Sequence, residues 1–245
     1  MNKTQTLFSL NCISKIQFFL GPNDAKIIYM KAQYKTMFPD EFLEAIDKNP
    51  LAYLPLGSME FHGWHNVLGL DSIKAKRICQ FAAERTGGIV LPVLSIGYDL
   101  FPNIDSSKHP NKRYDCYHID PELYLKVLEQ YFKDIFKVGF KKLFVLAGHY
   151  PNKEIAEKAA RKHPDKQMWV KTEADLVKGE TGDHAGKWET SLIMAMFPEY
   201  VDLDRGKKQE NRLLAVSGED PKTSSTDYGQ HSLDEILSSI EDLVT

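Results

Sequence analysis

The chain is poor in cysteine. Its three cysteines, Cys12, Cys79 and Cys116, are odd in number and far apart, and no two form a Cys-x-x-Cys pair. That excludes a disulfide framework and a cysteine zinc knuckle, and a reducing, cytoplasmic setting is the simplest expectation. Long apolar runs are missing too. None approaches the roughly 20 residues of a membrane helix, and Asn11, Ser14, Lys15 and Gln17 interrupt the one stretch, residues 7–20, that might have served as a signal core. There is no excess charge of one sign: the net charge is -3 and the pI about 6.2. Nucleic acid and anionic membranes are therefore not expected partners. No glycine-rich dinucleotide fingerprint or P-loop occurs, and no repeat or low-complexity block.

What is present is an ordinary globular composition, 42% hydrophobic and 27% charged over 245 residues. Residues 1–30 read as an extension of unknown role and 31–245 as a single domain. The apolar run Leu51–Leu56 reads as a buried strand. A short helix capped by Asp40 precedes it and reaches about Asp47. Ile73, Ile78, Phe81 and Ala82 recur at helical spacing, giving a helix from Asp71 to Arg85 that Gly87-Gly88 ends. Further strands are expected at 89–96, 142–146 and 168–170. Further helices are expected from Asp120-Pro121 to Val138, from Asn152 to Lys162 and from Gly186 to Met196. Residues 97–119 form a long loop and 205–230 a polar, turn-rich stretch. Ser232 with Glu235 resembles a capping box opening a last helix, which leaves His231 in a loop; His163 reads as a solvated helix end. Strands alternating with helices predict an α/β fold, a mostly parallel sheet with helices on both faces.

Two of these strands end in metal-ligand side chains. The first is followed by Glu60 and His62, with Asp71 opening the next helix; the third runs directly into His149. In a parallel sheet the carboxyl ends of strands share one edge, where open α/β sheets place their chemistry. Glu, Asp and two His form a mixed oxygen and nitrogen set, suited to zinc, manganese or iron rather than calcium. A carboxylate such as Asp71 can bridge two ions held roughly 3.5–4 Å apart. Taken alone, Asp71 serves equally well as a helix N-cap. A third segment, Gly182–Ser191, carries His184 and Glu189 toward the same region, and its Trp188 reads first as a packing residue.

The segments Leu54-Pro55-Leu56-Gly57-Ser58-Met59-Glu60-Phe61-His62-Gly63-Trp64-His65, Asp71, Gly148-His149-Tyr150-Pro151-Asn152, His184-Ala185-Gly186 and Glu189-Thr190-Ser191 resemble the creatininase (creatinine amidohydrolase) family, from about Asp40 to Asp204. The resemblance implies a creatininase-like three-layer sandwich. It implies one metal on Glu60, Asp71 and His149, and a second on His62 and the bridging Asp71. It makes His184 the proton shuttle. It also implies a homo-oligomer, a hexamer in its relatives. Creatininase itself fills its second site with a glutamate two positions after the histidine of its Gly-His-Tyr-Glu-Asn motif. Here that position is Pro151, and Glu189 is the candidate replacement. The implied activity is hydrolysis: a metal-activated hydroxide attacks a carbonyl in a small cyclic amide or related ring. Alternatives are opening of an inosose-like polyhydroxylated ketone, a formamide hydrolase, or an inactive member that serves in binding or assembly. Tyr150, Trp188, His109 and Tyr114 are the expected substrate contacts, the last two within a polar loop that also holds Asp105, Lys112 and Arg113.

Overall fold

A computed structural model of the chain describes residues 32–98, 118–209 and 212–245. The extension 1–30 and most of the 97–119 loop, with Cys12, Cys116, His109 and Tyr114, lie outside the described residues.

The chain runs α1 (Pro39–Lys48), β1 (Leu51–Leu56), α2 (Leu70–Thr86), β2 (Ile89–Val90), α3 (Pro121–Lys137), β3 (Lys142–Ala147), α4 (Asn152–Ala160), β4 (Gln167–Lys171), α5 (Lys187–Met196) and α6 (Thr226–Val244). The four strands are all parallel, in the order β2-β1-β3-β4. Alternation along β1 and β3 builds two cores. Leu51, Tyr53, Phe144 and Leu146 face α2 and α6; Ala52, Leu54, Leu143 and Val145 face α3 and α4. Because both faces are covered, β1 is buried at every position, as parallel strands in α/β folds are. The result is the three-layer α/β sandwich the sequence implies. Among the described residues, no helix is long and apolar enough to cross a membrane.

Several boundaries differ from expectation for physical reasons. α1 starts one residue before Asp40: Pro39 opens it and the Glu41 carboxylate accepts the Phe38 N–H at 3.1 Å. The second strand is two residues long, not eight. Pro92 has no N–H to give a ladder, and beyond Val90 the segment keeps the Leu91 N–H bond to the Tyr53 carbonyl and an isolated bridge between Leu94 and Leu56. α4 stops at Ala160 rather than Lys162. α6 begins well before Ser232. Ser225 caps it by accepting the Tyr228 N–H, while Ser232 is buried mid-helix and accepts the Trp188 indole N–H at 3.1 Å. His231 therefore lies on a helix, paired with Glu235 at 3.1 Å. His163 does not stand free in solvent; its ring lies 5.7 Å from that of Phe136.

The strand order reverses at β1. Its first crossover leads to β2 on one side and the next returns to β3 on the other, so the carboxyl ends of β1 and β3 flank the switch point where open sheets form their crevice. Leu56 and Ala147, the last residues of these strands, are partners in register.

Candidate metal centre

Two glycines bring the strand ends against the first turn of α2. A Cβ on Gly57 would stand 2.5 Å from the Ser72 backbone, and one on Gly148 would stand 2.5 Å from the Asp71 carbonyl oxygen. Only glycine permits that approach. It places Glu60 and His62 after β1, His149 after β3, and Asp71 between them. Asp71 is not the helix cap; Gly69 occupies that position and the carboxylate turns into the site.

Each imidazole is oriented by a backbone carbonyl, which can only accept. His62 donates from Nδ1 to the Glu60 carbonyl at 3.2 Å, leaving Nε2 3.1 Å from Asp71 Oδ1, 3.5 Å from Glu60 Oε1 and 3.8 Å from Glu189 Oε2. His149 donates from Nε2 to the Tyr98 carbonyl at 3.0 Å, leaving Nδ1 3.1 Å from Glu60 Oε1 and 3.2 Å from Asp71 Oδ2. Both working nitrogens therefore point at carboxylates, and outer partners of this kind are what fix a metal-binding histidine. Ser58 Oγ donates to Asp71 Oδ2 at 2.7 Å.

Three sets of donor atoms lie within 4.8 Å of one another: Glu60–His62–His184, and two that share Asp71, Glu60–Asp71–His149 and His62–Asp71–Glu189. Asp71 serves both, with a different oxygen toward each imidazole. Burial opposes charge on His62, but Asp71 above all, then Glu189 and Glu60, push it up to about 9. His149 is raised in the same way: burial is outweighed by its bonds to Asp71 and Glu60. Burial would raise Asp71, yet His62 and His149 hold it well below the carboxylate range. The converging carboxylates thus favour positive charge on both rings.

His184 stacks on His62, ring centroids 4.4 Å apart. Its Nε2–H donates to the Phe61 carbonyl at 3.1 Å, and Nδ1 lies 3.8 Å from Glu60 Oε1. The turn that carries it strains Ala185 to φ 53 and is tied down by Asp183, whose carboxylate accepts the Trp188 and Glu189 N–H groups at the start of α5. The Ala185 N–H in turn donates to Glu189 Oε2 at 2.7 Å.

Of the expected substrate contacts, Tyr150 lines an open cleft of about 460 Å³ with Tyr98, Pro151, Lys153, Glu154 and Glu157. Trp188 does not: it is buried in the core beside α6, its N–H spent on Ser232, so its role is packing. Two functional-site neighbours escaped sequence reasoning, Lys74 and Glu173, both fully buried behind Glu189. Lys74 could have been found, since it lies four and seven residues before Ile78 and Phe81 and so shares the apolar face of α2.

A family model described as creatininase, creatinine amidohydrolase, matches residues 35–240. A creatinine amidohydrolase of Pseudomonas putida is 27% identical over 176 residues, 62% of this chain and 66% of that protein, a little under two thirds of its length. Two solved creatininases, a mutant in a Zn-Zn form and a Mn form, each superpose with a TM-score of 0.72 at 22% identity, covering 86% of this chain and 96% of theirs, which establishes the common fold. The family match takes in both strand-end motifs, Asp71 and the turn through Glu189, and the chain belongs to the creatininase family.

Proposed function

We propose that this protein is a metal-dependent hydrolase that cleaves a C–N bond beside a carbonyl in a small cyclic amide or related ring. The observation that carries the reading is Asp71 shared between two triads whose imidazole nitrogens are already aimed inward. The donor set fits divalent zinc, manganese or iron: two neutral nitrogens and three carboxylates, with Glu60, Asp71 and His149 for one ion and His62, Asp71 and Glu189 for another. Relatives solved in Zn-Zn and Mn forms support the class of ion. A bound ion of this kind polarises a carbonyl and lowers the pKa of water.

The chain's own residues handle the proton. His184 is partly exposed above His62 and holds Nδ1 3.8 Å from Glu60 Oε1. It takes a proton from the attacking water as the water oxygen bonds to the carbonyl carbon. It returns that proton to the nitrogen as the C–N bond breaks. Pro151, where creatininase has a ligand, argues for a substrate other than creatinine. A hydroxylated ring, an inosose-like ketone, is the second reading, since its carbonyl is open to the same attack. Assays of the zinc- or manganese-loaded protein on creatinine, a formamide and an inosose separate these. His184→Ala is expected to lower turnover roughly 10²–10⁴-fold with metal content unchanged; full turnover in that variant refutes the role. A protein that stays metal-free after zinc or manganese soaking is instead the inactive, binding member.

A further inference from the structure

One histidine of the segment after β1, His65, takes no part in the triads. It is buried. Gly63, at φ 66, runs so close beneath it that a Cβ there would stand 2.6 Å from the ring. Burial, outweighing the bond to Ala185, holds the imidazole below its ordinary pKa, so the ring is neutral and has one N–H to give. That hydrogen is on Nε2, which lies 3.1 Å from the Ala185 carbonyl and 3.1 Å from Thr190 Oγ1. Thr190 Oγ1 also accepts from Asn66 Nδ2 at 3.1 Å, which leaves its own hydrogen for the Ala185 carbonyl at 3.3 Å. Two buried donors therefore converge on one carbonyl oxygen.

That carbonyl belongs to a strained residue. Ala185, at φ 53, is in the left-handed region, which is unfavourable for a residue with a Cβ and persists only where the surroundings impose it. What hangs on Ala185 is the site itself. Its N–H donates to Glu189 Oε2 at 2.7 Å, and the residue before it is His184, whose ring lies 4.4 Å from that of His62. The outer side of the turn is tied to Ser217, which accepts the His184 N–H at 3.1 Å and donates its own N–H to the His184 carbonyl at 2.8 Å. His65 and Thr190 supply the inner hold.

We propose that His65 is a positioning residue: with Thr190 it imposes the left-handed conformation of Ala185, and through that residue it aims Glu189 Oε2 at the His62–Asp71 position and seats His184 over His62. What the aimed groups then do rests on the metal-hydrolase reading above.

The test pairs His65→Leu, which fills the space without a donor, with Ala185→Gly, which takes a positive φ without penalty. Mn²⁺ binding to the metal-stripped full chain is read by calorimetry. The seat of His184 is read from the ring-current shift that His62 gives its Cε1 proton in NMR spectra of the metal-free protein, assigned against His184→Ala. His65→Leu is expected to weaken Mn²⁺ binding about tenfold, the cost in population of holding alanine left-handed unaided, and to move the His184 resonance. Adding Ala185→Gly to His65→Leu is expected to recover most of both effects. His65→Gln, which keeps an N–H donor, is expected to behave nearly as the wild type does. Should His65→Leu fail to fold, Thr190→Val, which removes the second donor, is compared with and without Ala185→Gly in its place. An unchanged affinity or an unmoved resonance in His65→Leu overturns the inference and leaves the hydrolase reading standing. So does a loss that Ala185→Gly fails to recover, because His65 then serves packing alone. No bound Mn²⁺ in any of these proteins, wild type included, overturns both.

Discussion

Ser58→Ala isolates one hydrogen bond behind one ligand. Ser58 is fully buried just after β1, and its hydroxyl donates to Asp71 Oδ2 at 2.7 Å. Its carbonyl separately accepts the Ser72 hydroxyl at 3.0 Å, a contact that alanine keeps, so the turn survives the change. What is lost is a hydrogen bond to a charged acceptor, about 1.5–3 kcal/mol. At about 1.4 kcal/mol per decade that is roughly 10–100-fold, which agrees with the loss in affinity typical when an outer partner of a metal ligand is removed. The loss should fall unevenly. Oδ2 is the oxygen facing His149, and Oδ1 faces His62, so the Glu60–Asp71–His149 site should weaken more. Competition with a chromophoric chelator, run beside a thermal melt, reads both effects. Unchanged zinc affinity at an unchanged melting temperature would refute the argument that Ser58 orients Asp71 for a cation.

Gly229→Ala tests the seat of the helix that carries Glu189. A Cβ there would lie 1.8 Å from the Ser191 carbonyl oxygen, so α5 and α6 must separate. Urea unfolding should show a loss of about 3 kcal/mol, and no loss would contradict the close contact. Glu173→Gln tests the buried charge. Burial first of all raises Glu173 from 4.5 to about 7, so the folded protein binds the extra proton. Its contribution to stability is therefore lost as pH rises through that window. Metal-stripped wild type should lose ground to Glu173→Gln between pH 4.5 and 8, and a stability difference independent of pH would contradict the burial of an ionisable carboxyl at this position.

Much of this molecule was readable where local chemistry decides the outcome. β1 is Leu51–Leu56 as its apolar run implies, and Asp120 with Pro121 opens α3, its carboxylate accepting two N–H groups. Glu60, His62, Asp71 and His149 were legible as candidates because each lies in a turn after a strand or begins a helix; parallel order carries those positions to one edge, and the side chains meet there. Reading failed where a tertiary partner outbids local pattern. Ser232 and Glu235 have the spacing of a capping box, but Ser232 is needed by Trp188 and the helix had begun at Thr226. The short second strand follows from Pro92, a signal in plain sight. Lys74 and Glu173 are charged residues in a core, which residue type alone argues against; only their mutual pairing and Glu189 make the burial tolerable.

The central claim is that Asp71 joins two cation sites built from residues far apart in the chain. Anomalous diffraction from crystals soaked in zinc or manganese tests it most directly. The account predicts two peaks on either side of the Asp71 carboxylate, one on Glu60 and His149, the other on His62 and Glu189. No peak at Asp71, or a single ion held elsewhere in the protein, would contradict it.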